Sequence, residues 1–557
     1  MKISGSKIVM ETLIEQGCDT IFGYPGGQVI NLFDELYNYQ DQIKHVLTAH
    51  EQGASHAADG YARATGKVGV VIATSGPGAT NLVTGIATAH LDSVPMVAIT
   101  GNVPCSLIGR DSFQEVDIVG VTMPITKHNF IVKDVTKLAE TLREAFRIAK
   151  SGRPGPVLVD IPKDVQVAQC EYERGHVVEA YPKLAASEDK LLKAAEILKD
   201  AKKPYIYCGG GIIAGGATRE IEALAEKLDA VIGSSMMGLS AISTDNPRFL
   251  GMQGMHGHYA SSIAQDEADV IIVAGARFSD RATGKKERFA INSKIIHIDI
   301  DNSELQKNIT VDLSIAGDVK NAVSRLTAMI DPKKNPEWMA RAAELKEIEA
   351  STIKKSEALT PYNIIDIISS VTDPKTVIAT DVGQHQMWTA QRYPFKSPRT
   401  FVSSGGLGTM GFGMGAAIGA QMGSGERTVL VTGDGSFGMN LNELATAVSF
   451  NVPMVVVIMN NGVLGMVRQW QTLFFNKHYS NTTLNRQTDF VKLAEAFGAK
   501  GVRVTTCDEL KDAFAKAYKE NGPVVIDCIV NPDEFVLPML PPGGSIDDII
   551  TNVEVEA

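Results

Sequence analysis

Short apolar runs and helical stretches take turns along the whole of this chain. Runs of four to eight apolar residues occur in VGVVIAT (68–74), PMVAITG (95–101), PVLVDIP (156–162), PYIYCGG (204–210), DVIIVAG (269–275), KIIHIDID (294–301), TVLVTGD (428–434), PMVVVIMNN (453–461) and PVVIDCIV (523–530). Between them apolar positions recur three and four apart, as Leu441, Leu444, Ala445 and Val448 do, which is helical spacing. Continuous apolar strands alternating with amphipathic helices predict βαβ units on parallel sheets covered on both faces. Val165–Leu184 and the charged, helix-like Asp331–Pro361 break the rhythm. The expected fold is therefore α/β, with three doubly wound parallel-sheet domains at 1–165, 185–335 and 360–557.

The outer two parts echo each other. VIATSGPGATNLVTGIATAHLDSVPMVAITGN (71–102) and VLVTGDGSFGMNLNELATAVSFNVPMVVVIMNN (429–461) both read as strand, glycine turn, Asn-Leu, helix and second strand. GPVLVDI (155–161) and GPVVIDC (522–528) then follow at comparable places, so the two parts are expected to be related units. Only the second copy carries Asp434 in its glycine turn and ends in Asn460-Asn461. A glycine-rich strand-to-helix turn lets backbone approach a phosphate at the positive helix end. An aspartate there repels the phosphate unless a cation lies between them. Asp434 and Asn461 stand 27 residues apart at the ends of successive predicted strands, the edge where such sheets bind ligands. With the backbone carbonyl near Val463, diphosphate oxygens and water, they complete an oxygen set suited to Mg²⁺.

The 557-residue length exceeds what one core organises, in keeping with the three parts. A net charge of −11 argues against a nucleic-acid partner. The six cysteines lack zinc-ligand spacing, which points to a reducing cytoplasm. MKISGSKIVMETLIEQG reads as an amphipathic helix rather than a targeting peptide, and no apolar stretch is long enough for a membrane span.

The GDG…NN segment resembles the thiamine-diphosphate motif. From YPGG (24–27) to LPMLPPGGSIDDII (537–550) the chain resembles the catalytic subunits of acetohydroxyacid (acetolactate) synthases. That resemblance implies a pyrimidine-binding, a central FAD-binding and a diphosphate- and Mg²⁺-binding domain. For thiamine diphosphate it implies Glu51 as the carboxylate on the aminopyrimidine ring. Gly408 would supply a carbonyl to the exocyclic amine and Met410 the wedge that bends the cofactor. Gly383, Gln384 and His385 would donate to the diphosphate, with Gly433, Asp434, Gly435 and Ser436 in the motif turn and Asp434, Asn461 and Val463 on the metal. Gln114 and Lys163 are implied in catalysis, and Phe113, Met466 and Trp470 in the substrate pocket. For FAD the resemblance implies Arg153, Gly209, Gly210, Gly211, Ser235, Met236, Met237, Gly275, Arg277, Arg281, Asp299 and Ile300. Alone, the triple glycine is a weak signal, because it is not the G-x-G-x-x-G fingerprint. By themselves Glu51 reads as a first-turn helix glutamate and Lys163 as a surface lysine.

The implied activity decarboxylates pyruvate and transfers the hydroxyethyl unit to a second pyruvate or to 2-ketobutyrate, in branched-chain amino acid biosynthesis. The implied assembly is a homodimer or homotetramer, with a small regulatory subunit as a further partner and a cytoplasmic location. Two rivals stand beside it. One is another thiamine enzyme, such as a catabolic acetolactate synthase or a pyruvate oxidase. The other is a catalytically inactive relative, against which the presence of Glu51, Asp434 and Asn461 speaks.

Overall fold

A computed structural model describes residues 1–352 and 356–553. Among these residues the chain builds three six-stranded parallel sheets and a two-stranded antiparallel ribbon. The N-terminal sheet uses Thr20–Gly23, Lys44–Leu47, Gly69–Ala73, Met96–Asn102, His128–Ile131 and Pro156–Pro162. They lie in the order second, first, third, fourth, sixth, fifth. The C-terminal sheet, built from Val377–Thr380, Phe401–Val402, Thr428–Gly433, Met454–Asn460, Lys500–Val504 and Val524–Ile529, repeats that order strand for strand. The internal echo is thus a repeat of topology. It extends to backbone detail, because Ser93 and Asn451, which precede the two Val-Pro-Met segments, both take positive φ of 60° and 48°. The central sheet differs. Its strands run third, second, first, fourth, fifth, sixth, the dinucleotide-binding order, whose crevice opens beyond the first and fourth strands.

The outer units meet through two helices, α1 (Glu51–Thr65) of the first and α2 (Phe412–Ser424) of the last. Both faces are lined with glycine and alanine, and the backbones touch. A Cβ added at Gly60 would lie 2.0 Å from the Ala416 carbonyl oxygen, and one at Gly419 would lie 1.8 Å from that of Ala57. Only residues without side-chain bulk allow that approach.

Two sequence expectations change. The chain does not open directly into a helix: Lys2–Ser4 is a strand paired with Gln169–Glu171, and the helix Gly5–Glu15 begins after the Ser4 cap, whose hydroxyl accepts from the Lys7 N–H. The pairing partner lies at the far end of the domain, beyond local reading. The charged connector is also more than a linker. The helix Pro336–Thr352 buries Trp338, Ala342 and Leu345 in the same apolar cluster as the central strands, with the Trp338 indole donating to the Pro204 carbonyl at 3.1 Å. Packing therefore carries the central unit past residue 335. No described helix is long and apolar enough to cross a membrane.

Candidate active site

The strand Thr428–Gly433 runs straight into the helix Asp434–Asn440, and its parallel neighbour ends at Asn460. Asp434 and Asn461 therefore stand side by side at one sheet edge. Asp434 Oδ2 accepts from the Gly462 N–H at 3.1 Å, and Asn461 Oδ1 from the Val463 N–H at 3.1 Å. Behind them Asn460 donates to Asp527 at 2.9 Å. Burial lifts the Asp434 carboxyl to about 6, against backbone N–H groups that pull it down. A buried carboxylate without a positive partner calls for a cation. No group of three His, Cys, Asp or Glu side chains forms a metal cluster among the described residues. The donors at hand are carboxylate, amide and carbonyl oxygens, the set that hard Mg²⁺ prefers.

Opposite this edge begins the helix Gln384–Arg392, with Gly383 at its cap. The Gln384 side chain is engaged within the protein. Its Nε2 already donates to Gln469 Oε1 at 2.9 Å and to the Glu534 carbonyl at 2.8 Å. What remains toward an anion is the first-turn N–H groups, which lack helical partners. His385 is buried against the motif turn, where a Cβ on Gly433 would lie 2.9 Å from its Nδ1. Burial pushes the imidazole down to about 3, so it is neutral at neutral pH, and its Nε2 has no partner among the described residues. Ser436 turns away and donates to the Val382 carbonyl at 2.8 Å. Gly435 approaches Met410, since a Cβ on that glycine would lie 4.0 Å from Met410 Cε. Gly408, at φ 70°, closes the exposed loop 405–408, two residues before Met410.

Gly383 and the loop 404–408 line a cavity of about 1290 Å³ shared with the central unit, whereas Asp434 and Asn461 do not line it. At the crevice of the central sheet two glycine turns press together: a Cβ on Gly211 would lie 2.7 Å from Gly275 Cα, and one on Gly209 would lie 2.0 Å from the Gly275 carbonyl oxygen. Gly210 and Gly211 line the cavity, and Gly209 lies behind them. Ser235, Met236 and Met237 form one wall, with Asp299 and Ile300 on another. Burial, reinforced by Asp301 and Glu304, raises the Asp299 carboxyl to about 6 although Arg153 opposes it. Arg153, Arg277 and Arg281 reach the same space. The Arg281 guanidinium sits 5.6 Å from the Trp470 ring, and Met466 lies on the same helix as that indole. The cavity thus joins the predicted flavin residues to Gly383, Gly408, Met466 and Trp470.

The N-terminal candidates stand apart. Glu51, Phe113, Gln114 and Lys163 do not line this cavity. Glu51 Oε2 accepts from Asn81 Nδ2 at 3.0 Å, while Oε1 faces Gly78, where a Cβ would be 3.1 Å away. Gln114 takes a φ of 59° and presses on Gly76, and Lys163 donates to the Gly27 carbonyl at 3.3 Å. Phe113 is 84% exposed. Here too the repeat explains a difference. Pro77, between Gly76 and Gly78, holds the place that Asp434 has between Gly433 and Gly435, and Val103 follows Asn102 where Asn461 follows Asn460, so the first copy lacks both the carboxylate and the amide of the proposed metal pair.

Two groups escaped sequence reading. Glu443 accepts from the N–H groups of Ala49 and His50 at 3.2 and 2.9 Å, bracing the chain just before Glu51 from the opposite unit. Asp92 accepts from Gly405 and Gly406 ahead of Gly408 at 3.0 and 2.7 Å. The one available signal was a mismatch inside the echo, where Asp92-Ser93 stands against Phe450-Asn451.

Three family models match the chain: thiamine pyrophosphate enzyme N-terminal TPP binding domain at residues 3–121, central domain at 191–326 and C-terminal TPP binding domain at 381–528. The chain is 44% identical to a probable acetolactate synthase large subunit of Methanocaldococcus jannaschii, covering 100% of this chain and 96% of that one. It is 42% identical to the acetolactate synthase large subunit of Haemophilus influenzae, over 99% of this chain and 98% of the other. With the acetolactate synthase of Mycobacterium leprae it shares 45% over 98% and 90% of the two chains.

Proposed function

The chain belongs to the thiamine pyrophosphate enzymes, among the acetolactate synthase large subunits, and from that premise we propose how its residues divide the work. It is an acetolactate synthase that binds thiamine diphosphate. The cofactor supplies the electron sink that lets a 2-keto acid lose CO₂ and pass its two-carbon unit to a second 2-keto acid. Asp434, Asn461 and the Val463 carbonyl would hold Mg²⁺, and the first-turn N–H groups of Gln384 and His385 would donate to the diphosphate. The Gly408 carbonyl would accept a hydrogen bond from the cofactor's amine, Met410 would pack against its rings, and the Glu51 carboxyl would hold or move a proton at the aminopyrimidine. Arg153, Arg277, the glycines at 209–211 and Asp299 hold FAD. Met466 and Trp470 receive the acceptor, which is pyruvate or 2-ketobutyrate.

The observation that carries this reading is the cavity that joins the glycine turns of the central dinucleotide-type sheet to Gly383, the Gly408 loop, Met466 and Trp470 of the C-terminal unit. Because Glu51, Phe113, Gln114 and Lys163 lie outside that cavity, we infer that a second copy brings them to it, as a homodimer or homotetramer. The relatives' designation as large subunits supports a small regulatory partner as well. The test is to incubate purified protein with pyruvate, thiamine diphosphate, Mg²⁺ and FAD and to assay acetolactate and the flavin spectrum together. Acetolactate with the flavin remaining oxidised is expected. No product, or flavin bleaching during anaerobic turnover, would overturn the reading.

A further inference from the structure

The turn 91–93 ends the helix α3 (Val83–Leu91), on the N-terminal unit, and three arginines hold it from different sides. The Leu91 carbonyl accepts from Arg277 Nη2 at 2.6 Å, and Ser93 Oγ accepts from Arg153 Nε at 2.8 Å. Both arginines face the large cavity. Between them, the Asp92 carboxylate is fully shielded from solvent and accepts from Arg63 Nη2 at 2.9 Å. Arg63 in turn donates to Asp59 at 2.5 Å. Burial works against the Arg63 charge, yet the two carboxylates hold that guanidinium protonated above its usual range.

What Asp92 does with its remaining acceptor sites matters more. Oδ2 accepts from the Gly405 N–H at 3.0 Å and Oδ1 from the Gly406 N–H at 2.7 Å. One turn earlier on α3, the Thr88 hydroxyl pairs with that of Thr409 at 2.8 Å. The same helix therefore pins the glycine loop at both ends, leaving only Leu407 and Gly408 between the pins. Hydrogen bonds to a buried carboxylate are shorter and stronger than neutral ones, so this end of the loop is held firmly. There is no slack on the other side: a Cβ at Gly405 would lie 2.4 Å from Met237 Sδ, in the wall of the central unit, and one at Gly406 would lie 2.8 Å from Asp92 Oδ1.

We propose that Asp92 is a positioning residue for thiamine diphosphate, and that the 91–93 turn couples FAD binding in the cradle of Arg153 and Arg277 to thiamine diphosphate binding at Gly408. This inference rests on the two cofactor sites proposed above. A dinucleotide engaging Arg153 and Arg277 fixes two side chains that already grip Leu91 and Ser93. The freedom of Asp92 falls with theirs, and so does that of Gly405, Gly406 and the Gly408 carbonyl. The second ligand then meets a loop whose ordering is already complete, which is positive coupling without a large movement. By linkage the effect is reciprocal.

The experiment titrates thiamine diphosphate with Mg²⁺ by calorimetry into FAD-loaded and FAD-stripped protein, wild type and Asp92→Asn. In wild type, FAD should tighten thiamine diphosphate about tenfold, within the roughly 5–150-fold range of such couplings. Asp92→Asn keeps the shape but turns an amide donor toward one of the two glycine N–H groups. It should bind FAD within about twofold of wild type, bind thiamine diphosphate about tenfold more weakly when loaded, and bring the loaded-to-stripped ratio close to one. A ratio that survives in Asp92→Asn, or a wild-type ratio of one, overturns the proposal. Should Asp92→Asn fail to fold, Gly406→Ala on the exposed loop reads the same ratio, since its methyl parts the loop from Asp92; there too a surviving ratio overturns it. Protein that takes up no FAD, seen as missing flavin absorbance before any titration, fails the cofactor reading itself and the coupling with it.

Discussion

Glu51 is held by neighbours that leave half of its carboxylate free. Asn81 binds one oxygen at 3.0 Å, Gly78 has no side chain to crowd the other, and Glu443 anchors the backbone just ahead of it. Glu51→Gln preserves the Asn81 bond but cannot carry a proton. It should melt at the wild-type temperature and bind cofactors within a few-fold, yet lose about 10²–10⁴ in kcat, the usual worth of a general acid–base step. Wild-type turnover in the variant would remove Glu51 from the proton path. Trp470 is placed differently: its indole lies under the Arg281 guanidinium and edge-on to Phe474 at 5.8 Å, a rigid wall of the cavity. If that wall packs on the extra methyl of 2-ketobutyrate, one methylene is worth about 1–3 kcal/mol, or 10–200-fold in selectivity. Trp470→Leu should still form acetolactate but lose most of its preference for 2-ketobutyrate when both keto acids compete. An unchanged product ratio would move the acceptor elsewhere.

At the scale of elements, the repeated sheets share an internal lock. Asn102 donates to Asp160 at 2.5 Å in the first sheet, as Asn460 does to Asp527 in the last, each tying the fourth strand to the sixth. Burial raises Asp160 to about 6, although Asn102 and Thr100 pull the other way. An unfolded aspartate titrates near 3.9, so the folded chain holds this proton more tightly. The contribution of Asp160 to stability is then complete below about pH 4, is lost as pH rises through about 6, and is flat above. Asp160→Asn abolishes that slope. The melting temperature of the variant relative to wild type should climb between pH 4 and about 6.5 and level off beyond. Parallel melting curves across that window would mean that Asp160 titrates like an unfolded aspartate.

For the whole molecule, the question is which chain completes which site. The cavity is lined by the central candidates and by Gly383, Gly408, Met466 and Trp470, whereas Glu51, Phe113, Gln114 and Lys163 are absent from its lining. If a second copy supplies Glu51, then Glu51→Gln and Asp434→Ala damage different halves of the same site. Each variant alone should be inactive. Co-expressed, they form mixed dimers in which one site carries both lesions and the other carries neither. With random pairing about half the dimers are mixed, so activity should return to about a quarter of wild type. Continued inactivity of the mixture, with heterodimers verified by tagged pull-down, would mean that Glu51 serves its own chain.

Local order was legible from residue pattern alone. Strand-turn-helix units follow from apolar period and glycine placement, both short-range. Neighbouring strands joined by a right-handed crossover bring Asp434 and Asn461 together with nothing else needed. The echo of 71–102 in 429–461 likewise anticipated two sheets with one strand order. Tertiary structure alone decided everything that depends on who faces whom. Asp92 meets its glycines across 313 residues and Glu443 meets His50 across 393, through two helices stripped of bulk until their backbones touch. The Gln384 amide is held by Gln469 and Glu534, and Trp338 draws a charged connector onto the central sheet. Periodicity states which face of an element is buried; only the packed chain states against what, because that choice is made by shape and by hydrogen-bond partners that arrive from distant sequence.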